Sequence, residues 1–172
     1  MPQGRWRLWA SPCRDLGGNQ GTLAGMNDTL TSHHRNLERM YLAAPINAFF
    51  LPRITIGLEQ ATIEIDVSEK LHHAARAVHG SVYFKMLDDA AFFAANSIET
   101  EVFVLTTAFT TYLTRPVSSG SMRSEGKVVN KNRSQIIAES VVYDAEGHEI
   151  GRGNGIFVRS KIQLTTALGY AG

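Results

Sequence analysis

Cysteine is almost missing from this chain. Cys13 is the single one among 172 residues, which excludes an internal disulfide and a metal centre built on several thiolates. Neither sign of charge dominates either. Seventeen Lys and Arg against 16 Asp and Glu give a formal net charge of +1, so the chain carries no electrostatic footprint for nucleic acid or an anionic membrane. Charges interrupt every apolar stretch well before the roughly 20 residues that cross a bilayer as a helix. The opening segment MPQGRWRLWASPCRDLGGNQGTLAG lacks the continuous apolar run of a secretory signal. These absences leave a small-molecule partner and a reducing, cytoplasmic setting as the expectation.

What the chain does contain fits one domain: 44% of its residues are hydrophobic and 19% charged, enough apolar material for a genuine core. Residues 1–26 are expected to be a flexible extension and residues 27–172 the folded unit. Asn27, Asp28 and Thr29 are candidate caps for a helix running to about Leu42, ahead of Pro45. RITIGLEQATIEIDV, rich in β-branched residues and alternating in its second half, reads as a strand region. SEKLHHAARAV reads as a loop. From Gly80 to Ser97 apolar residues fall on nearly every face, which marks a buried helix. Four strand-like segments follow, separated by turn chemistry at Pro116 to Gly120, NKNR and DAEG. This order predicts an α+β fold in which an antiparallel, five-stranded curved sheet wraps a long central helix. No helix pattern returns after Ser97, so a doubly wound nucleotide-binding fold is excluded.

Several motifs fail on context. GRGNG, residues 151 to 155, lies between two halves of a strand and is followed by no Gly-Lys-Ser/Thr, so it is not a phosphate loop; glycines that let a sheet bend account for it better. The pairs His33-His34 and His72-His73, with His79 and His148, lack metal-ligand spacing, and no metal is expected. No Gly-x-Ser-x-Gly elbow is present. Lys131, Arg133, Arg159 and Lys161 are candidates for the phosphates of coenzyme A, or simply solvated charges at turns and strand ends.

The run HGSVYFKMLDDAAFFAANS, residues 79 to 97, places two adjacent acids, Asp88 and Asp89, inside an apolar helix, and Asp is rarely buried without a partner or a use. Gly80 sits where the chain turns from loop into helix, so a carbonyl oxygen can approach backbone N–H groups that lack an intrahelical partner. Asp89 follows some two and a half turns later, and the two can serve one substrate only if it is extended or a partner subunit contributes. The plainer reading makes Gly80 a packing point, with one Asp paired to Lys85 and the other on a backbone donor.

Residues 45 to 160 resemble the hotdog-fold acyl-CoA thioesterases of the phenylacetate-degradation type. The resemblance rests on the His79-Gly80 helix start, an L-x-D-x-A pattern at Leu87, Asp89 and Ala91, a Tyr-Leu-x-Arg-Pro strand end at Tyr112 to Pro116, and an acidic-Gly hairpin at Asp144 to Gly147. It implies that Asp89 activates water or attacks the thioester while the backbone N–H of Gly80, behind His79, polarises the carbonyl. Relatives commonly carry a second glycine where this chain has Ser81, and an Asn or Gln in the preceding loop where it has His72 and His73. The resemblance further implies that Thr106 or Thr107 supplies a hydroxyl that holds water. Asp88 is expected to face Lys85 or solvent at a subunit boundary.

The function so implied is hydrolysis of an acyl-CoA thioester to free acid and coenzyme A, without a cofactor. The partners expected are the acyl-CoA substrate and further copies of the chain in a homodimer or homotetramer, with no nucleic acid and no membrane. The alternatives are a non-catalytic acyl-CoA-binding or regulatory dimer and a hotdog hydratase or dehydratase. The dehydratase needs an acid and a histidine as a pair, whereas His79 is committed to the helix start.

Overall fold

The computed structural model describes residues 20–170, with side chains from residue 28 onward. Its first element is α1, Gln20–Ala43. The helix begins ahead of Asn27, so Asn27, Asp28 and Thr29 lie within it and do not cap it. Residues 20–26 are therefore helical where an extension was expected; the rest of that expectation, residues 1–19, lies outside the described residues. His33, Asn36, Leu37, Met40 and Tyr41 are buried, a stripe at the helical period that docks α1 against the sheet. A short helix α2, Asn47–Phe50, follows Pro45 and ends at Leu51, which adopts a left-handed φ of 50°.

The region expected to form one strand is a hairpin: β1, Arg53–Gly57, pairs antiparallel with β2, Gln60–Asp66, from Arg53 opposite Glu64 to Gly57 opposite Gln60. The chain reverses at Leu58 and Glu59, with Glu59 at a φ of 61°. Its turn carries no Asn-Gly or Asp-Gly signal, and the β-branched pattern runs through both arms. That hairpin raises the strand count to six. The central helix α3, Gly80–Asn96, follows, and then β3, Val102–Leu113, β4, Ser121–Lys131, β5, Ile136–Tyr143, and β6, Glu149–Gln163. The sheet is antiparallel throughout in the order β1-β2-β4-β5-β6-β3, leaving β1 and β3 at its edges.

The seating of α3 on the sheet is unusually close at one point. A Cβ placed on Gly126 of β4 would lie 2.1 Å from the Ala90 carbonyl oxygen and 2.7 Å from the Ala91 nitrogen, so the helix backbone itself fills the space a side chain would take. Beside this contact Ser140 of β5 donates its hydroxyl to the Leu87 carbonyl at 2.7 Å. Small residues on the helix, Ala90, Ala91, Ala94 and Ala95, are all buried and permit the approach. Flanking them, Leu87, Met122, Ile136, Val142, Ile150 and Phe157 are essentially inaccessible to solvent.

The C-terminus of α3 is held by groups from elsewhere. His33 Nε2 donates to the Asn96 carbonyl at 2.9 Å and His34 Nε2 to the Ser97 carbonyl at 3.2 Å, so two imidazoles on α1 satisfy carbonyls that the end of a helix leaves unpaired. Asn96, fully buried, turns the chain into β3: its side-chain amide donates to the Glu99 and Val102 carbonyls while Oδ1 accepts from Val104 N–H. The glycines of GRGNG are occupied in packing. At Gly153 and Gly155 an added Cβ would lie 2.5 Å from ring atoms of Phe109, so an aromatic of β3 lies across β6 where those positions carry no side chain.

Gly126→Ala therefore forces α3 away from β4, because the clash is with backbone rather than a movable side chain. The variant is expected to lose about 2 kcal/mol or more, within the range for overpacking, read as a lowered urea midpoint. An unchanged midpoint would contradict the close seating.

Candidate active site

The helix α3 carries chemistry at two places. At its start, His79 is the N-cap residue; its Nδ1 accepts from Ser81 N–H at 3.1 Å and lies 2.8 Å from Ser81 Oγ. His79 and Ser81 thus engage each other, while the Gly80 N–H belongs to the first turn and has no intrahelical acceptor. A Cβ on Gly80 would meet Leu113 Cδ1 at 3.2 Å, so the end of β3 crowds this turn. The preceding loop turns inward: His73 Nδ1 accepts from Ala75 N–H at 3.1 Å, its ring centroid lies 6.4 Å from that of His79, and His72 pairs with Val78 in an isolated bridge. His73, His79, Gly80 and Ser81 therefore gather at one end of α3.

The acids lie elsewhere. Asp88 and Asp89 both line a cleft of about 740 Å³ formed by α1, the start of α2, α3, β3 and residues 167–169. Asp88 Oδ1 accepts from Thr106 Oγ1 of β3 at 3.0 Å. Asp89 Oδ2 accepts from Tyr41 of α1 at 2.8 Å and is in direct contact with the Lys85 ammonium. Lys85 in turn stands over the rings of Tyr41 and Phe50, 5.1 and 5.2 Å from their centroids, a desolvated cation–π setting. The expected pairing of Asp88 with Lys85 is thus corrected: Lys85 is one turn before Asp89, at the i,i+4 spacing, and Asp88 points about 100° away toward β3.

This geometry divides the two carboxyls electrostatically. Burial pushes the Asp88 carboxyl up, to about 6; the Thr106 hydrogen bond opposes the rise, the neighbouring Asp89 adds to it, and Lys85 counteracts it. Tyr41 is raised well above its ordinary value by burial and by the Asp89 anion it bonds, so its hydroxyl stays a donor. Among the described residues, the titratable side chains that line the cleft are Tyr41, Lys85, Asp88 and Asp89, with no histidine.

Of the residues singled out in the sequence, Thr106 joins the acids and Thr107 does not. Thr107 sits where the β3–β6 register shifts, and its hydroxyl donates to the Ile156 carbonyl at 3.1 Å. Gly80 and Asp88 are separated along α3 by about 12 Å at the helical rise, so one protomer does not bring the helix-start N–H and the acids to the same carbonyl. Tyr41 was missed as a member of the cluster, whereas Lys85 was expected beside one acid and the structure gives it to Asp89. Lys85 had a legible signal, its i,i+4 spacing to Asp89, and Tyr41 falls on the apolar stripe of α1. Of the proposed phosphate-binding cations, Lys131 pairs with Glu59 at 2.6 Å and Arg159 with Glu99. The clustered ligand-type atoms of Asp144, Glu146 and His148 on the β5–β6 hairpin belong to a turn: the Asp144 carboxylate accepts from the Glu146 and His148 N–H groups and from the His148 ring.

Because Asp88 has a higher pKa folded than unfolded, its contribution to stability is fully present below the unfolded value near 3.8 and is lost as pH rises through about 6. At about pH 8 the ionised carboxylate costs on the order of 1–2 kcal/mol, allowing for its partial exposure. Asp88→Asn is expected to be more stable than the wild type by that amount at about pH 8 and equal to it below about pH 4, by urea denaturation at both. A variant equal to or weaker than the wild type at the higher pH would contradict the strained acid.

Residues 76–150 match the thioesterase superfamily. No curated protein matches the chain. Among solved structures, the PaaI protein of Escherichia coli, from the phenylacetic acid degradation operon, aligns with a TM-score of 0.72 at 16% identity, covering 80% of this chain and 99% of its own. A thioesterase family protein from Silicibacter pomeroyi aligns at 0.66 and 22%, covering 75% and 96%, and a thioesterase from Haemophilus influenzae at 0.63 and 16%, covering 73% and 88%. The curved antiparallel sheet around α3 is therefore the hotdog fold, and the chain resembles the hotdog thioesterases, its segment 76–150 matching their superfamily.

Proposed function

We propose that this protein hydrolyses an acyl-CoA thioester to the free acid and coenzyme A, with Asp88 as general base. The observation that carries the reading is the cleft in which a half-buried carboxyl, bonded by Thr106, faces a largely apolar space, a setting that pushes it up to about 6. A base poised near the working pH is both ionised and able to take a proton. Thr106 fixes Oδ1, which leaves Oδ2 to accept the proton of a water molecule as that water attacks the thioester carbon. The resulting oxyanion is stabilised by the Gly80 N–H at the start of α3. Collapse of the tetrahedral intermediate breaks the carbon–sulfur bond, and the proton held by Asp88 passes to the departing thiolate.

The sequence reading gave the base to Asp89. Its Oδ2 already receives both Lys85 and Tyr41, which favours an anchoring role for Asp89 and proton transfer by its neighbour. The separation of Gly80 from Asp88 along α3 calls for a second protomer, each copy lending its helix start to the other's cleft. The exposed apolar residues Leu105, Tyr112 and Leu113 on the edge strand β3 favour that dimer, and a tetramer would pair two of them. A hydratase would need a histidine free to act with the acid, and the His79 that comes with the helix start is occupied as its N-cap, Nδ1 accepting from Ser81 N–H. A coenzyme A substrate and the near absence of cysteine fit the cytoplasm.

Thiol release from a panel of acyl-CoAs tests the reading. Asp88→Asn is expected to lower kcat/KM by about 10²- to 10⁴-fold, and Asp89→Asn by much less. Loss confined to Asp89→Asn would return the base to that residue; saturable binding without thiol release would make the protein an acyl-CoA sensor.

A further inference from the structure

The matched segment, residues 76–150, contains Asp88, Thr106 and Gly80, but much of the cleft wall lies outside it. Past the acids the wall is made by Phe92, Phe93, Phe103 and Leu105 and, from the end of the described chain, by Ala167 and Leu168. The family-matched part supplies the reacting groups and the aromatic side of the wall, and the end of α1, the start of α2 and the chain's terminal portion close the space from outside it.

That terminal portion is built into place. Residues Thr166–Leu168 form one tight helical turn after β6, closed by Leu168 N–H to the Thr165 carbonyl at 3.0 Å and Gly169 N–H to the Thr166 carbonyl at 2.9 Å. Gly169 adopts a φ of 80°, and a Cβ there would stand 3.2 Å from Ala43 Cβ, so the turn rests directly on the end of α1. Tyr170 then reaches back into α1, its hydroxyl 2.7 Å from His33 Nδ1. Because His33 Nε2 donates to the Asn96 carbonyl, Nδ1 is left to accept, and the Tyr170 hydroxyl is the donor. The hydrogen bonds run from the tail through His33 to the C-terminus of α3. Leu168, 37% exposed, lines the cleft immediately before these contacts of Gly169 and Tyr170 with α1.

We propose that this tail is the acyl-selecting wall of the cleft, with Leu168 limiting the length of an uncharged, apolar acyl group. The inference rests on the reading that the cleft takes an acyl-CoA. Coenzyme A is polar and highly charged and remains toward solvent, so the part of the substrate that enters among Phe92, Phe93, Phe103 and Leu168 is the acyl group. An acidic acyl group finds no unpaired cation among the described lining residues, since Lys85 is held by Asp89.

The test separates binding from turnover. Affinities of the full-length protein for non-hydrolysable thioether analogues of straight-chain acyl-CoAs, from acetyl to dodecanoyl, are measured by calorimetry for the wild type, Leu168→Trp, Leu168→Ala and Tyr170→Phe. Leu168→Trp is expected to weaken the longest chains by at least ~10-fold while leaving the shortest nearly unchanged, which also shows that the variant is folded. Leu168→Ala is expected to move the preference to longer chains, and Tyr170→Phe to flatten it. Chain-length profiles identical to the wild type in both Leu168 variants would overturn the proposal, as would affinities independent of chain length in the wild type. Thiol release from the matching thioesters reports separately: its absence alongside a chain-length effect would overturn the hydrolytic reading and leave the acyl wall standing.

Discussion

The contact between the Ala90 carbonyl and Gly126 sets the geometry of this molecule. It lets the backbone of α3 rest against the sheet where a side chain would otherwise stand. With the middle of the helix fixed at that depth, the large side chains on either side fill the remaining core, and Ser140 meets the Leu87 carbonyl. The two acids, immediately before Ala90 in the chain, are carried to the side of the same seat. Asp88 leans toward β3 and Asp89 toward α1, each meeting a hydroxyl from that direction, Thr106 or Tyr41.

Two adjacent carboxylates in a desolvated place repel one another. The structure resolves the conflict by compensating one of them. Lys85 and Tyr41 together provide Asp89 with a charge and a hydrogen bond, whereas Asp88 has a single hydroxyl and remains raised. Such an uncompensated acid beside an apolar cleft is costly to keep, and groups of this kind concentrate where chemistry is done. The division of roles between the neighbours follows from which side of α3 each leaves, a matter of about 100° of helical rotation.

Periodicity made the central parts of this fold legible. The all-round apolar pattern announced α3 as buried, and alternation with turn residues separated β3 to β6 correctly. The hairpin of β1 and β2 was lost because Leu58 and Glu59 give no turn signature, the left-handed conformation at Glu59 being imposed by the pairing of its arms. The start of α1 was misplaced because Asn27 to Thr29 look like caps in isolation. At the site, the pair of acids and the His-Gly helix start could be found by reading, but their assignment could not. Whether Lys85 serves Asp88 or Asp89 depends on where Tyr41 and Thr106 stand, and those come from α1 and β3, far away in sequence. The His33-His34 pair, set aside as a metal motif on its spacing, gave no sign in the sequence of its actual partners, the carbonyls at the end of α3.

If the working base is Asp88, the carboxyl without an ion pair of its own, its ionisation governs turnover. The pH dependence of kcat/KM, which reports the ionisation of the uncombined enzyme, tests it most directly. A plateau at alkaline pH and a single-proton decline on the acid side with a midpoint near 6 are expected, the midpoint moving upward in Thr106→Val as the opposing hydrogen bond is removed. A profile flat down to about pH 4, where an ordinary aspartate titrates, would contradict it.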